Sequence, residues 1–125
     1  FVSTAAVNST DVGISCCSTS TSSISITAPA GSDGIVEFVR VTISMSHVDP
    51  EELGIRLLSP GGTVVNLLMP FHRATTNPGY VSFEIGVSAF YGESMNGTWT
   101  IALNDYINDG DSGTLNSWLI KVYGH

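Results

Sequence analysis

The feature that most restricts the fold is an alternation within residues 35–47. Val39, Val41, Ile43 and Met45 take every second position, and Arg40, Thr42, Ser44 and Ser46 fill the gaps. Successive side chains of a strand point to opposite faces, so this segment predicts a strand with one buried and one wet face. Its β-branched content suits a pleated surface. A helix needs apolar residues at i, i+3, i+4 and i+7, and no stretch of the 125 residues sustains that spacing for long. His47 falls on the apolar side of the same strand and is expected to be hydrogen-bonded at its end.

Shorter runs repeat the period of two. Residues 23–27 alternate cleanly. Leu53, Ile55 and Leu57 mark one strand and residues 64–69 its return. The turn Ser59-Pro60-Gly61-Gly62-Thr63 between them makes a hairpin. Val81, Phe83, Ile85 and Val87 share a face. Asn96-Gly97 is a turn dipeptide ahead of Trp99-Thr100-Ile101-Ala102-Leu103, and residues 115–123 are apolar again. Turns fall about every ten residues. The expectation is an all-β chain, a jelly-roll-like antiparallel β-sandwich of about eight strands. Residues 1–20 are rich in Ser and Thr and weakly patterned, so they are expected as a linker or lead-in segment, with the sandwich in 21–125. The predicted core is Val39, Val41, Ile43, Leu53, Ile55, Leu57, Phe83, Ile85, Trp99, Ile101, Leu103, Trp118 and Ile120.

Charge excludes some functions. Eleven acids against four bases give a net charge of −7, and only 12% of residues are charged. Arg40, Arg56, Arg73 and Lys121 are scattered. A phosphate backbone would be repelled, so no nucleic-acid partner is expected. No run reaches the ~18 apolar residues that cross a bilayer, and no secretory leader is expected in residues that lack a basic region followed by an apolar one. The first residue is Phe, which suggests a processed protein or a piece of a longer one. Cys16-Cys17 lacks the CxxC spacing of redox or zinc sites, and adjacent strand residues face opposite ways. Asn8-Ser9-Thr10 and Asn96-Gly97-Thr98 are glycosylation sequons, relevant only in a eukaryotic secretory host.

The chemistry that stands out is the loop after Leu103. Asp105, Asp109 and Asp111 crowd around Gly110, with Asn104 and Asn108 adding amide oxygens. Hard cations take six to eight oxygens, so a structural calcium ion is the expected cofactor, with Glu93 as a further donor from the preceding turn. An EF-hand is excluded because Ile107 and Asn116 stand at two of its ligand positions. The plain alternative is a solvated turn in which Asp and Asn bond their own backbone. No GxSxG elbow supports a Ser-His-Asp hydrolase, and nothing selects a carboxylate pair for glycoside cleavage. Exposed aromatics could instead bind sugar; Phe71, Tyr80, Phe90, Tyr91 and Tyr106 are the candidates.

Several pieces in order resemble one family. A V-x-V-x-I strand ends in His47. Glu52-Leu53-Gly54-Ile55-Arg56-Leu57 follows, then Ser59-Pro60-Gly61-Gly62-Thr63. Tyr91-Gly92-Glu93, Asn96-Gly97-Thr98-Trp99, Asp105, Gly113–Trp118 and Tyr123-Gly124 complete the series. Over residues 39–124 this is similar to the P domain of proprotein convertases such as kexin and furin, found also at the C-termini of secreted bacterial serine and metallopeptidases. Two departures are Glu52, where the family has Asp, and a loop 70–79 without acids. The resemblance implies a secreted, monomeric, non-catalytic β-sandwich. It would support the folding, stability or substrate handling of an attached peptidase catalytic domain, with a protein substrate as a further partner. The alternative is a secreted carbohydrate- or protein-binding module.

Overall fold

A computed structural model describes residues 2–15, 19–47, 53–68, 79–105 and 112–125. Its regular elements among these are nine strands: β1 (Val2–Asn8), β2 (Val12–Ser15), β3 (Thr19–Ile26), β4 (Val36–His47), β5 (Leu53–Leu58), β6 (Val64–Leu68), β7 (Gly79–Val87), β8 (Gly97–Asp105) and β9 (Ser112–Gly124). They form two antiparallel sheets. Sheet A runs β1-β9-β4-β7, with β2 also on β9, and sheet B runs β3-β8-β5-β6. Among the described residues, β5 and β6 are the one pair of consecutive strands that are hydrogen-bonded to each other. From β3 onward, every other connection crosses from one sheet to the other. That is the jelly-roll-like antiparallel sandwich expected from the pattern.

The alternation in β4 sets the core. Val39, Val41, Ile43 and Met45 are fully buried. Across the gap, Ile55, Leu57, Trp99, Ile101 and Leu103 of sheet B are equally sealed, with Trp118, Ile120 and Val122 beside β4 in sheet A. Ile85 packs against this cluster while partly exposed. The side chains of two further predicted core residues, Leu53 and Phe83, and of His47 lie outside the described residues. So do Cys16 and Cys17.

Period two breaks at two bulges. Val36 pairs with Gly124 and Phe38 with Tyr123, leaving Glu37 extra on β4; Ser44 pairs with Ser117 and Met45 with Leu115, leaving Asn116 extra on β9. An extra residue resets which face follows. Val36 and Val39 therefore both face inward, as do Leu115 and Trp118.

Residues 1–20 were expected as a linker or lead-in segment. From Val2 to Ser15 they form two strands along one edge of β9, from Val2↔Gly124 to Asn8↔Trp118 and from Val12↔Leu115 to Ser15↔Ser112. Ile14 is buried in the core, and Val2, Ala6 and Val12 pack against it. The Ser and Thr positions hid the strands, because apolar residues occupy only part of the inward face. This edge also meets β3 of the other sheet. Asn8 Nδ2 donates to the Ser23 carbonyl (2.9 Å) and Ser20 Oγ to that of Gly13 (2.7 Å). Inside, Trp118 Nε1 donates to the buried Ser22 Oγ at 3.0 Å, joining the two sheets. A buried indole N–H needs such a partner.

Candidate functional site: a corner closed by Ser59 and Glu93

The β5–β6 turn is held from inside. Ser59 N–H donates to the Thr63 carbonyl (2.9 Å), Gly62 N–H to that of Ser59 (3.0 Å), and Thr63 N–H to Ser59 Oγ (3.1 Å). Ser59 is 5% exposed. Its own hydroxyl proton goes to Glu93 Oε1 at 2.7 Å. One serine thus closes its turn and ties it to a second turn 34 positions away.

That second turn lies along the start of β4. Val36 N–H donates to the Glu93 carbonyl, Gly92 N–H to that of Val36, and Met95 N–H to that of Gly34, each at 2.8 Å. Ile35 exchanges two 3.1 Å bonds with His125, so the start of β4 is also fixed to the last residue. A Cβ on Gly124 would overlap the Ile35 carbonyl, so this approach needs glycine. At Gly97, φ is +129° and the Pro60 ring sits where a side chain would stand. Asn96 Oδ1 accepts from Ala28 N–H at 2.7 Å. Beneath the corner, Trp99 Nε1 donates to the Met95 carbonyl (3.0 Å), and Phe90 meets the indole edge-on at 5.2 Å.

The structure separates residues that the sequence grouped. Glu93 precedes β8, whereas Asp105 ends it, and the ends of this nine-residue strand lie about 26 Å apart at ~3.3 Å per step. Glu93 and Asp105 thus stand at opposite ends of β8, and the Glu93 carboxylate accepts from Ser59. Asn104 is also engaged elsewhere: its Oδ1 accepts from Arg56 Nη2 (3.3 Å) and its Nδ2 donates to Thr19 Oγ1 (2.6 Å). An amide oxygen facing a guanidinium is a poor cation ligand. The Asp105 side chain, Asn108, Asp109 and Asp111 lie outside the described residues. Among the described residues, no group of three His, Cys, Asp or Glu side chains is placed to hold a metal.

The aromatic candidates divide too. Phe90, read as a possible sugar platform, is 0% exposed and belongs to the core. Packing against Trp99 outweighs its place in a turn. Tyr91, next to it, is 69% exposed. Phe71, Tyr106 and the Tyr80 side chain lie outside the described residues. The Ser59–Glu93 bond and the Ser22–Trp118 bond were missed, because single sequences show no signal for pairs so far apart.

The hydrogen bonds of the corner are spent on structure. The Ser59 proton is committed to a carboxylate, and no imidazole stands beside it among the described residues. Its residues hold turns, and the two-sheet sandwich behind them is packed. The profile of the proprotein convertase P-domain family matches residues 36–122, and the chain belongs to that family. Proprotein convertase subtilisin/kexin type 6 of Rattus norvegicus is 33% identical over 93 residues, which cover 71% of this chain and 10% of that protein. The Aeromonas extracellular serine protease of Aeromonas sobria is 28% identical, across 72% of this chain and 20% of the relative. The crystal structure of the Aeromonas sobria serine protease superimposes with a TM-score of 0.84 at 25% identity, covering 99% of this chain and 27% of that one. The same protease has been solved in complex with a chaperone, ORF2. The chain thus spans a tenth to about a quarter of these proteases.

Hydrogen bonds to charged groups contribute about 1.5–3 kcal/mol. Ser59→Ala is expected to lower unfolding stability by that amount in urea titrations. Glu93→Gln, which keeps an acceptor oxygen, should cost less than about 1 kcal/mol. The reverse ranking would mean that the carboxylate charge has a task beyond this bond.

Proposed function

We propose that this chain is the non-catalytic accessory domain of a secreted peptidase, and that it supports the folding, stability or substrate handling of an attached catalytic domain. One observation carries the reading. Ser59, Glu93, Gly97, Trp99 and Gly124 belong to the motifs by which the sequence resembles the family, and all of them are used in holding the sandwich together. The relatives are serine proteases and convertases of which such a domain is a small part. A secreted parent accords with the extracellular protease among them. The carbohydrate-binding alternative loses Phe90 to the core, which leaves Tyr91 as its exposed aromatic among the described residues.

The test uses the full-length parent. Deleting this domain should reduce the yield of active peptidase or lower its melting temperature, while the isolated chain cleaves neither casein nor small peptide esters. Unchanged yield, stability and kcat/KM on deletion would contradict the reading.

A structural calcium ion in the loop between β8 and β9 belongs to the same proposal. With Glu93 and Asn104 engaged elsewhere, the donors available are Asp105, Asp109 and Asp111 with Asn108 and backbone carbonyls. Carboxylates this close in sequence repel one another unless a cation or open solvent relieves them. Calcium should raise the melting temperature over that in chelator, and Asp109→Asn should shrink the difference. Identical melting curves in calcium and chelator would remove the ion from the account.

A further inference from the structure

Among the described residues the sandwich has four edges: β1 with β2, and β7, in sheet A; β3 and β6 in sheet B. An edge strand carries a row of unpaired backbone donors and acceptors, which pair with another strand unless something blocks them. Three of the four edges are blocked. Those of β1–β2 and β3 lie against each other and exchange side-chain bonds. The Ser23 carbonyl of β3 accepts from Asn8, and the Gly13 carbonyl of β2 accepts from Ser20. On β6, Ile55 pairs with Leu68 and Arg56 with Asn66, so Leu67 is extra and bends a strand of only five residues.

Strand β7 has none of these devices. Its nine residues make it the longest edge strand, about 30 Å at ~3.3 Å per residue. Its pairing with β4 runs without a shift from Val39↔Val87 to His47↔Gly79. It holds no Pro and no Lys, and its one charged residue, Glu84, is turned toward β4. Glu84 Oε1 lies 3.1 Å from Arg40 Nε, and Oε2 accepts from Thr42 Oγ1 at 3.4 Å. A carboxylate held by the neighbouring strand does not guard the edge. The core face also stops short here. Val39, Val41 and Ile43 of β4 are fully buried, whereas Ile85, opposite Val41, is partly exposed. Among the described residues, no backbone group bonds to the outer side of β7.

The strand that fits this edge is β7 itself. Laid antiparallel to a second β7 with Phe83 on a twofold axis, all nine positions pair. Val81 then stands opposite Ile85 of the second copy, and Ser82 opposite its Glu84. Core-face positions meet core-face positions, and no like charges meet. A twofold at Glu84 would set two carboxylates against each other, which destabilises a cross-strand pair. A slip by one residue would set core positions against wet ones.

We propose that β7 pairs with β7 of a second copy of this chain, antiparallel about Phe83, joining the two A sheets into one. The pairing closes both edges, so association stops at two. The contact is one strand long and one sandwich deep, roughly 500 Å² on each copy against the ~800 Å² of a standard interface. Each copy also carries a net charge of −7. The dimer is therefore weak, dissociating between about 10 μM and 1 mM. It departs from the monomer that the family resemblance implies. It does not rest on the peptidase reading, because the pairing is a property of this chain alone.

The test is sedimentation of the chain across that concentration range, with amide chemical shifts of the isotope-labelled chain followed in parallel. The mass should rise from one chain toward two, and concentration-dependent shifts should fall on residues 79–87 and leave β1, β3 and β6 unchanged. Position 82 lies opposite Ser44 on the outer face, so it can be changed without touching the core. Ser82→Glu sets a like charge against Glu84 of the second copy and should weaken the dimer about fivefold; Ser82→Lys sets an opposite charge there and should strengthen it about as much. Melting curves in dilute solution check that both variants fold, and the wild-type mass and shifts decide the matter without them. One-chain mass at every concentration, shifts that fall on another edge, or equal dimerisation of all three chains would overturn the proposal. So would a monomer that binds a blocked peptide of alternating Val and Thr along β7, which would give the edge to a different protein.

Discussion

The indole of Trp99 is the contact on which the rest of this sandwich depends. It is fully buried on β8, its N–H is bound to the Met95 carbonyl, and Phe90 meets it edge-on. These contacts hold both sides of the turn that precedes β8. With the turn fixed, Glu93 is positioned to reach Ser59, Gly92 and Met95 to bond the start of β4, and Asn96 to bond Ala28. An aromatic pair adds ~0.5–1.5 kcal/mol beyond its buried area, and each satisfied polar group avoids a desolvation cost of about 1–3 kcal/mol. No single bond in the corner is large. Together they convert the β5–β6 turn, the turn before β8, the start of β4 and the chain end into one packed unit.

Family membership takes on a physical meaning from this arrangement. Four residues of the motifs that carry the resemblance, Ser59, Glu93, Trp99 and Gly124, are scattered in sequence yet meet at one corner. They preserve a shape.

Local pattern carried much of the fold. The strand around Val39–Met45 and the hairpin at Ser59–Thr63 were legible because alternation and turn chemistry act over a few residues. The bulges at Glu37 and Asn116 were not, since an extra residue looks like any other until its partner strand is in place. The edge strands within residues 2–15 were obscured by Ser and Thr on a half-covered face. Phe90 was misread because its position in a turn was visible and its contact with Trp99 was not. The candidate site was less legible than the fold. Acidity counted along the chain grouped Glu93 with Asp105, but strand β8 holds them at opposite ends, and the partner of Glu93 is an uncharged serine from another hairpin.

Native-state hydrogen exchange at the Trp99 indole and at the Thr63, Met95 and Gly92 amides tests the central claim most directly. If the corner and core form one unit, these protons should exchange only through global unfolding, with the same opening free energy and denaturant dependence as the amides of Val41 and Ile101. Exchange of Thr63, Met95 or the Trp99 indole through a separate, lower-energy opening while β4 stays protected would contradict it.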